Sequence, residues 1–135
     1  MKEYEAFKVI HGPTRLGSNA GIFLSRNSIQ EFRDTLNTYP SLREYFPLYN
    51  KDRIVKEIPG TCGIFCFETY EYAEAFIRRL SASKLKVIKV VGYCKRKREV
   101  GIVSGAGKII NLISSVRSAP CPQGTIRFRK VKVIE

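Results

Sequence analysis

The sequence has no tryptophan, a single histidine and a single methionine. With only His11, a histidine-rich metal site or a pair of catalytic imidazoles is excluded. Cysteine is also sparse and badly spaced for zinc: Cys62, Cys66, Cys94 and Cys121 form no C-x-x-C pair. No metal and no other cofactor is expected. Cys62 and Cys66 stand four apart in a segment that reads as a strand. At roughly 3.3 Å per residue their backbones are about 13 Å apart, too far for a mutual disulfide. Reduced thiols are the expectation. Acidic residues almost vanish after residue 80, where Glu99 and Glu135 face 13 Lys and Arg. Glu68, Glu71 and Glu74, at the start of an expected helix, suit the helix dipole rather than acid–base chemistry. No apolar run approaches the roughly 20 residues that cross a bilayer, and the opening MKEYEAFKVIHG has no signal-peptide pattern. The expected setting is the cytoplasm, the host cytoplasm if the source is a virus, with no membrane partner.

What is present points to one domain over residues 1–135, because 135 residues with 44% apolar side chains, 8 Phe and 7 Tyr can build one core. The formal charge is +12, and it is unevenly placed. Residues 1–80 carry 11 basic against 10 acidic groups, so nearly all the excess lies in residues 81–135. EYEAFKVI, GIFLS, DRIVKEI, CGIFCFE, KLKVIKVVGYC and TIRFRKVKVIE read as strands. Two of these, around Ile64–Phe67 and Val87–Val91, are apolar on both faces, which marks inner strands. In the last, Ile126 and Phe128 have one parity and Val131 and Val133 the other, which predicts a β-bulge near Arg129 and Lys130.

Helices are expected from SIQEFRDTLNT, where Ser28 and Glu31 make a capping box, and from TYEYAEAFIRRL, capped by Thr69. A third begins near Gly107, with Ile109, Leu112, Ile113 and Val116 on one stripe. The expected fold class is α+β: a single compact domain with a mixed or mainly antiparallel sheet and about three helices.

GIVSGAGKII, residues 101–110, invites a phosphate-loop reading that fails at two positions. Ile102 stands where the first glycine belongs, and Ile109 where the magnesium-binding hydroxyl belongs. What survives is a helix start at Gly105 and Gly107 whose open amides, with Lys108, suit an anion. Immediately upstream is KRKR, Lys95, Arg96, Lys97 and Arg98, at the end of a strand. The last strand adds Arg127, Arg129, Lys130 and Lys132. If the two strands are neighbours, their cations form one stripe that binds polyanion by counterion release. Aromatics are few in this half, Tyr93 and Phe128, so phosphate contact or a duplex is favoured over base stacking. The expected function is non-enzymatic nucleic-acid binding, mainly through the phosphate backbone.

CGIFCFETYEYAEAF, residues 62–76, resembles a strand-to-helix segment of small prokaryotic and viral proteins with the pattern Gly-Ile/Leu-x-x-Phe-x-Thr-x-Glu-x-Ala, carried here by Gly63, Ile64, Phe67, Thr69, Glu71 and Ala73. That resemblance implies an α+β fold and no activity. A second resemblance is to ADP-ribosyltransferases, through His11-Gly12 after a strand and Gly63-Ile64-Phe65. It implies an enzyme whose late acidic residue is Glu99 or Glu135, although Pro13 interrupts the first motif. The other alternative is a module that binds an acidic protein partner, displaying Tyr39, Tyr45, Phe46 and Tyr49 as an aromatic patch.

Overall fold

A computed structural model describes residues 2–18, 20–21, 24, 27–40, 43, 46–57, 63–80, 84–96 and 122–135. Five strands dominate it: β1 (Glu3–His11), β2 (Ile54–Lys56), β3 (Ile64–Phe67), β4 (Leu85–Arg96) and β5 (Thr125–Val133). Two helices with defined bounds join them, α1 (Ile29–Thr38) and α2 (Tyr70–Arg79). All pairings are antiparallel: β1 lies between β3 and β4, and β5 pairs with both β3 and β4. These four contacts close a ring, β1–β3–β5–β4, and β2 adds to β5 beyond the end of β3.

The expected α+β class is therefore corrected to a mostly β molecule, a closed four-stranded antiparallel barrel with one extra strand and two helices among the described residues. The expected third helix, at Ile109–Val116, lies outside the described residues. The physical reason for the correction is strand length. β4 has 12 residues and β5 has 9, long enough for β4 to pair fully with β1 and still meet β5 on its other edge. The both-face apolar pattern of β3 and β4 suits an inner strand of an open sheet and a barrel strand equally well, because a barrel strand covered by a helix also buries both faces. GIFLS is corrected as well: Gly21 and Leu24 have helical backbone, and the Gly21 amide donates to the Gly17 carbonyl at 3.2 Å.

The barrel interior is filled by Ala6, Ile10, Ile64, Cys66, Ile88, Val90, Ile126, Phe128, Val131 and Val133, with Tyr49 and Val55 closing one side. Such a narrow ring needs small residues opposite large ones. At Gly92 a β-carbon would collide with the ring of Phe128, so glycine is required there. The outward residues of β1, β3 and β4 are covered by α2: Val9, Phe67 and Ala73 are buried, with Phe7, Phe76, Ile77, Leu85 and Val87 packed around them. Both helix starts follow the sequence expectation. Ser28 Oγ accepts from the Glu31 amide at 3.0 Å, Glu31 reaches back to the Ser28 amide, and Thr69 Oγ1 accepts from the Tyr72 amide at 3.2 Å.

The parity change in β5 is real, since Ile126, Phe128, Val131 and Val133 are all buried. It is not a bulge, because pairing runs without a slip from Tyr93↔Lys130 to Lys95↔Phe128. The adjustment is shared across the ladder by Cys94, whose φ of 55° turns β4 at the position facing Arg129.

Candidate nucleic-acid interface

Register decides which basic side chains meet. In an antiparallel pair, residues directly opposite share a face. The row Val55–Val131–Gly92–Tyr4 points inward, three of its members being buried and Tyr4 half-buried. The rows on either side must then point outward: Lys56–Lys130–Tyr93–Glu3 and Ile54–Lys132–Val91–Glu5. Three lysines from two strands are thus gathered beside Tyr93, with Glu3 and Glu5 on the far side along β1. Lys130 Nζ sits 5.0 Å from the centre of the Tyr93 ring, and the Tyr93 hydroxyl donates to Glu3 Oε1 at 3.3 Å. Glu5 is occupied by Lys89 at 3.1 Å. Among the described residues, Lys56, Lys95, Lys130 and Lys132 form no ion pair.

The barrel end beside this face adds a second group. Lys95 pairs with Phe128, and its Nζ lies 5.6 Å from the Tyr4 ring, which Lys2 Nζ approaches at 5.0 Å. Tyr4 itself leans on Phe128, ring centres 5.8 Å apart. Arg129 is exposed, with its Nε 4.0 Å from Glu57.

Two of the expected cations have other tasks. Arg96 makes a two-pronged bond to Glu57, Nε to Oε2 at 2.9 Å and a terminal nitrogen to Oε1 at 2.7 Å, in a half-covered position that ties the end of β4 to the segment after β2. Arg127, opposite Arg96 and Phe65, is buried at 7% exposure. Lys97, Arg98, Gly105, Gly107 and Lys108 lie outside the described residues. Lys2 and Lys56 escaped sequence reading because they lie far from the basic segment in the chain; only strand pairing brings them to it.

One lysine went inside. Lys8 shares the inward parity of Ala6 and Ile10, is 7% exposed, donates from Nζ to the Phe65 carbonyl at 2.8 Å and lies 5.2 Å from the Tyr49 ring. Burial lowers its pKa from the ordinary lysine value, partly offset by the neighbouring Cys66. Burial likewise pushes the Cys66 thiol up to about 11 and raises the Tyr49 phenol.

The other candidate groups are engaged structurally. His11 is buried, its Nδ1 lies 2.7 Å from Thr14 Oγ1 in the turn after β1, and its pKa is lowered by burial and then by Lys84. The Glu135 carboxylate accepts from the Lys89 amide at 2.9 Å, and Glu99 lies outside the described residues. Of the aromatic segment, Tyr49 is buried, Phe46 packs edge-on against Phe32 at 5.4 Å and Tyr39 is 48% exposed, so these three form no contiguous exposed patch; Tyr45 is outside the described residues. Among the described residues no three His, Cys, Asp or Glu side chains gather as a metal site would require, and no helix is long and apolar enough to cross a membrane. Cys66 is buried and Cys94 exposed, while Cys62 and Cys121 are outside the described residues.

No protein-family model, curated protein or solved structure matches this chain.

Proposed function

We propose that the protein binds nucleic-acid backbone, without catalysing a reaction, through the outward face of β2, β5 and β4. The observation that carries this reading is the cluster Lys56, Lys130 and Lys132 around Tyr93, extended by Arg129 and by Lys95 at the barrel end, with no ion pair to any of the four lysines among the described residues. A lysine that is not neutralised within the protein keeps its full charge for a phosphate, and each phosphate so bound releases condensed counterions. Lys97 and Arg98 continue the chain directly from Arg96, and in this reading they and Lys108, with the glycines Gly105 and Gly107, add to the anion-binding residues. Arg96 and Arg127 contribute to the local potential, the first while bracing β4 through Glu57.

The test is fluorescence-anisotropy titration of labelled DNA and RNA at several salt concentrations. The triple variant Lys56→Ser, Lys130→Ser, Lys132→Ser loses three phosphate contacts, so the slope of log affinity against log salt falls by about 2 to 3. An unchanged slope, with the variant folded, contradicts the assignment.

A further inference from the structure

We infer that the nucleic acid recognised by this face is single-stranded, with a base stacked on Tyr93 while its phosphates are held by the surrounding lysines; this rests on the function proposed above. In sequence the aromatic residues of the basic half are too few to suggest base stacking. Pairing changes that count. Tyr93 is one strand away from Lys130, two from Lys56, and diagonal to Lys132 on the same outward surface. Neighbouring strands are about 4.8 Å apart and alternate residues on a strand about 6.8 Å apart, so ring and cations lie within the reach of one nucleotide.

The ring is also held in place: its hydroxyl donates to Glu3 and Lys130 stands over it, so little side-chain freedom remains to be lost when a base stacks. Ile54, 52% exposed on the adjoining outward row, and half-buried Val91 extend the same surface with apolar groups.

A duplex keeps the faces of its bases in its own stack, and it would leave Tyr93, Ile54 and Val91 against a charged sugar–phosphate surface. Unpaired bases instead present flat apolar faces to just such a mixture of rings, aliphatic groups and lysines on strands.

The experiment compares three probes of equal length by anisotropy at one salt concentration: single-stranded oligothymidylate, an abasic oligomer with phosphates alone, and a duplex. Proteins are the wild type, Tyr93→Phe, which keeps the ring, and Tyr93→Val, which keeps the strand preference and removes it. Circular dichroism and thermal melting verify that each is folded. The expected result is oligothymidylate bound about tenfold tighter than the abasic strand by wild type, with most of that advantage kept by Tyr93→Phe, which loses only the hydroxyl bond to Glu3, and all of it lost in Tyr93→Val. Duplex and abasic affinities should stay the same across all three proteins. Equal affinity for oligothymidylate and abasic strand, or a duplex preference untouched by Tyr93→Val, overturns the stacking inference and leaves phosphate binding standing. Failure to bind any of the three probes overturns the proposed function as well.

Discussion

Lys8 occupies a costly position. Its amine lies inside the barrel with one carbonyl partner, the Tyr49 ring and the Cys66 thiol around it, and no carboxylate among the described residues is bonded to it. Burial lowers its folded-state pKa below the ordinary 10.5. Between that lowered value and 10.5 the unfolded chain binds a proton that the folded chain does not, so stability rises with pH across this window. Below the window both states are protonated and the full penalty is present. Lys8→Met removes the effect: the stability of wild type relative to the variant, measured by urea unfolding over a pH series, should be lowest in acid and climb as pH approaches 10.5. Cys66 acts in the opposite sense, since its folded value of about 11 makes stability fall as pH rises from the ordinary thiol value of 9.0. Because the Lys8 charge lowers the Cys66 pKa, Lys8→Met alters that contribution, and the comparison is read below pH 9.0, before the thiol titrates in either state. A pH-independent difference would show that Lys8 is not buried as described. Gly92 gives a second test at this scale. Gly92→Ala drives a methyl group into the Phe128 ring and should cost about 1–3 kcal/mol in the same unfolding measurement.

At the scale of elements, the contact that joins stability to the proposed binding face is Arg96–Glu57. Two hydrogen bonds fix the end of β4 beside the segment that follows β2, immediately before Lys97 and Arg98. Glu57→Gln weakens this brace by about 1 kcal/mol, because the pair is only partly covered. It also removes the acid nearest Arg129 and frees Arg96, so low-salt affinity for nucleic acid should rise while the melting temperature falls. A loss of affinity in a folded Glu57→Gln protein would place Arg96 and Glu57 in a binding role that the account does not give them. Capping is a cleaner case: Ser28→Ala deletes the side-chain half of the α1 box, leaving the residue-28 amide to donate to Glu31, and should cost about 1 kcal/mol. These elements were also the most legible in the sequence. Ser28, Thr69 and the apolar stripes of α1 and α2 act over three or four residues, so their spacing in the chain is their geometry. The adjacency of Lys95 and Arg96 to the last strand was legible too, as Lys95↔Phe128 and Arg96↔Arg127 bear out; Lys97 and Arg98 lie outside the described residues.

Ring closure was not legible, because nothing local distinguishes a β3 that ends a sheet from one that meets β5 and completes a barrel. Parity in β1 was ambiguous for the same reason. Phe7 and Val9 on one side, and Tyr4, Ala6 and Ile10 on the other, offer two apolar faces, and only the register with Ile88 puts Lys8 inside. The proposed binding face was half legible: Lys95, Arg129, Lys130, Lys132 and Tyr93 from their place in the basic half of the chain, but the nearness of Lys2 and Lys56 to them only from pairings.

At the scale of the whole molecule, the charge is +12, and Lys56, Arg129, Lys130 and Lys132 are carried on strands of a closed barrel and the strand added to it. The ring leaves no free edge on β1, β3, β4 or β5 where they pair, and β2, which carries Lys56, is the added strand outside it. One helix, α2, seals the outward side of β1, β3 and β4, while the outward lysines lie on β2 and β5. The described residues thus present a packed face under α2 and a lysine-bearing face on β2 and β5. The measurement that tests this most directly is the salt dependence of nucleic-acid affinity for wild type and for the Lys56→Ser, Lys130→Ser, Lys132→Ser variant. The account predicts a steep negative slope of log affinity against log salt in wild type, shallower by about 2 to 3 in the variant. No binding at low salt, or equal slopes in the two folded proteins, would contradict it.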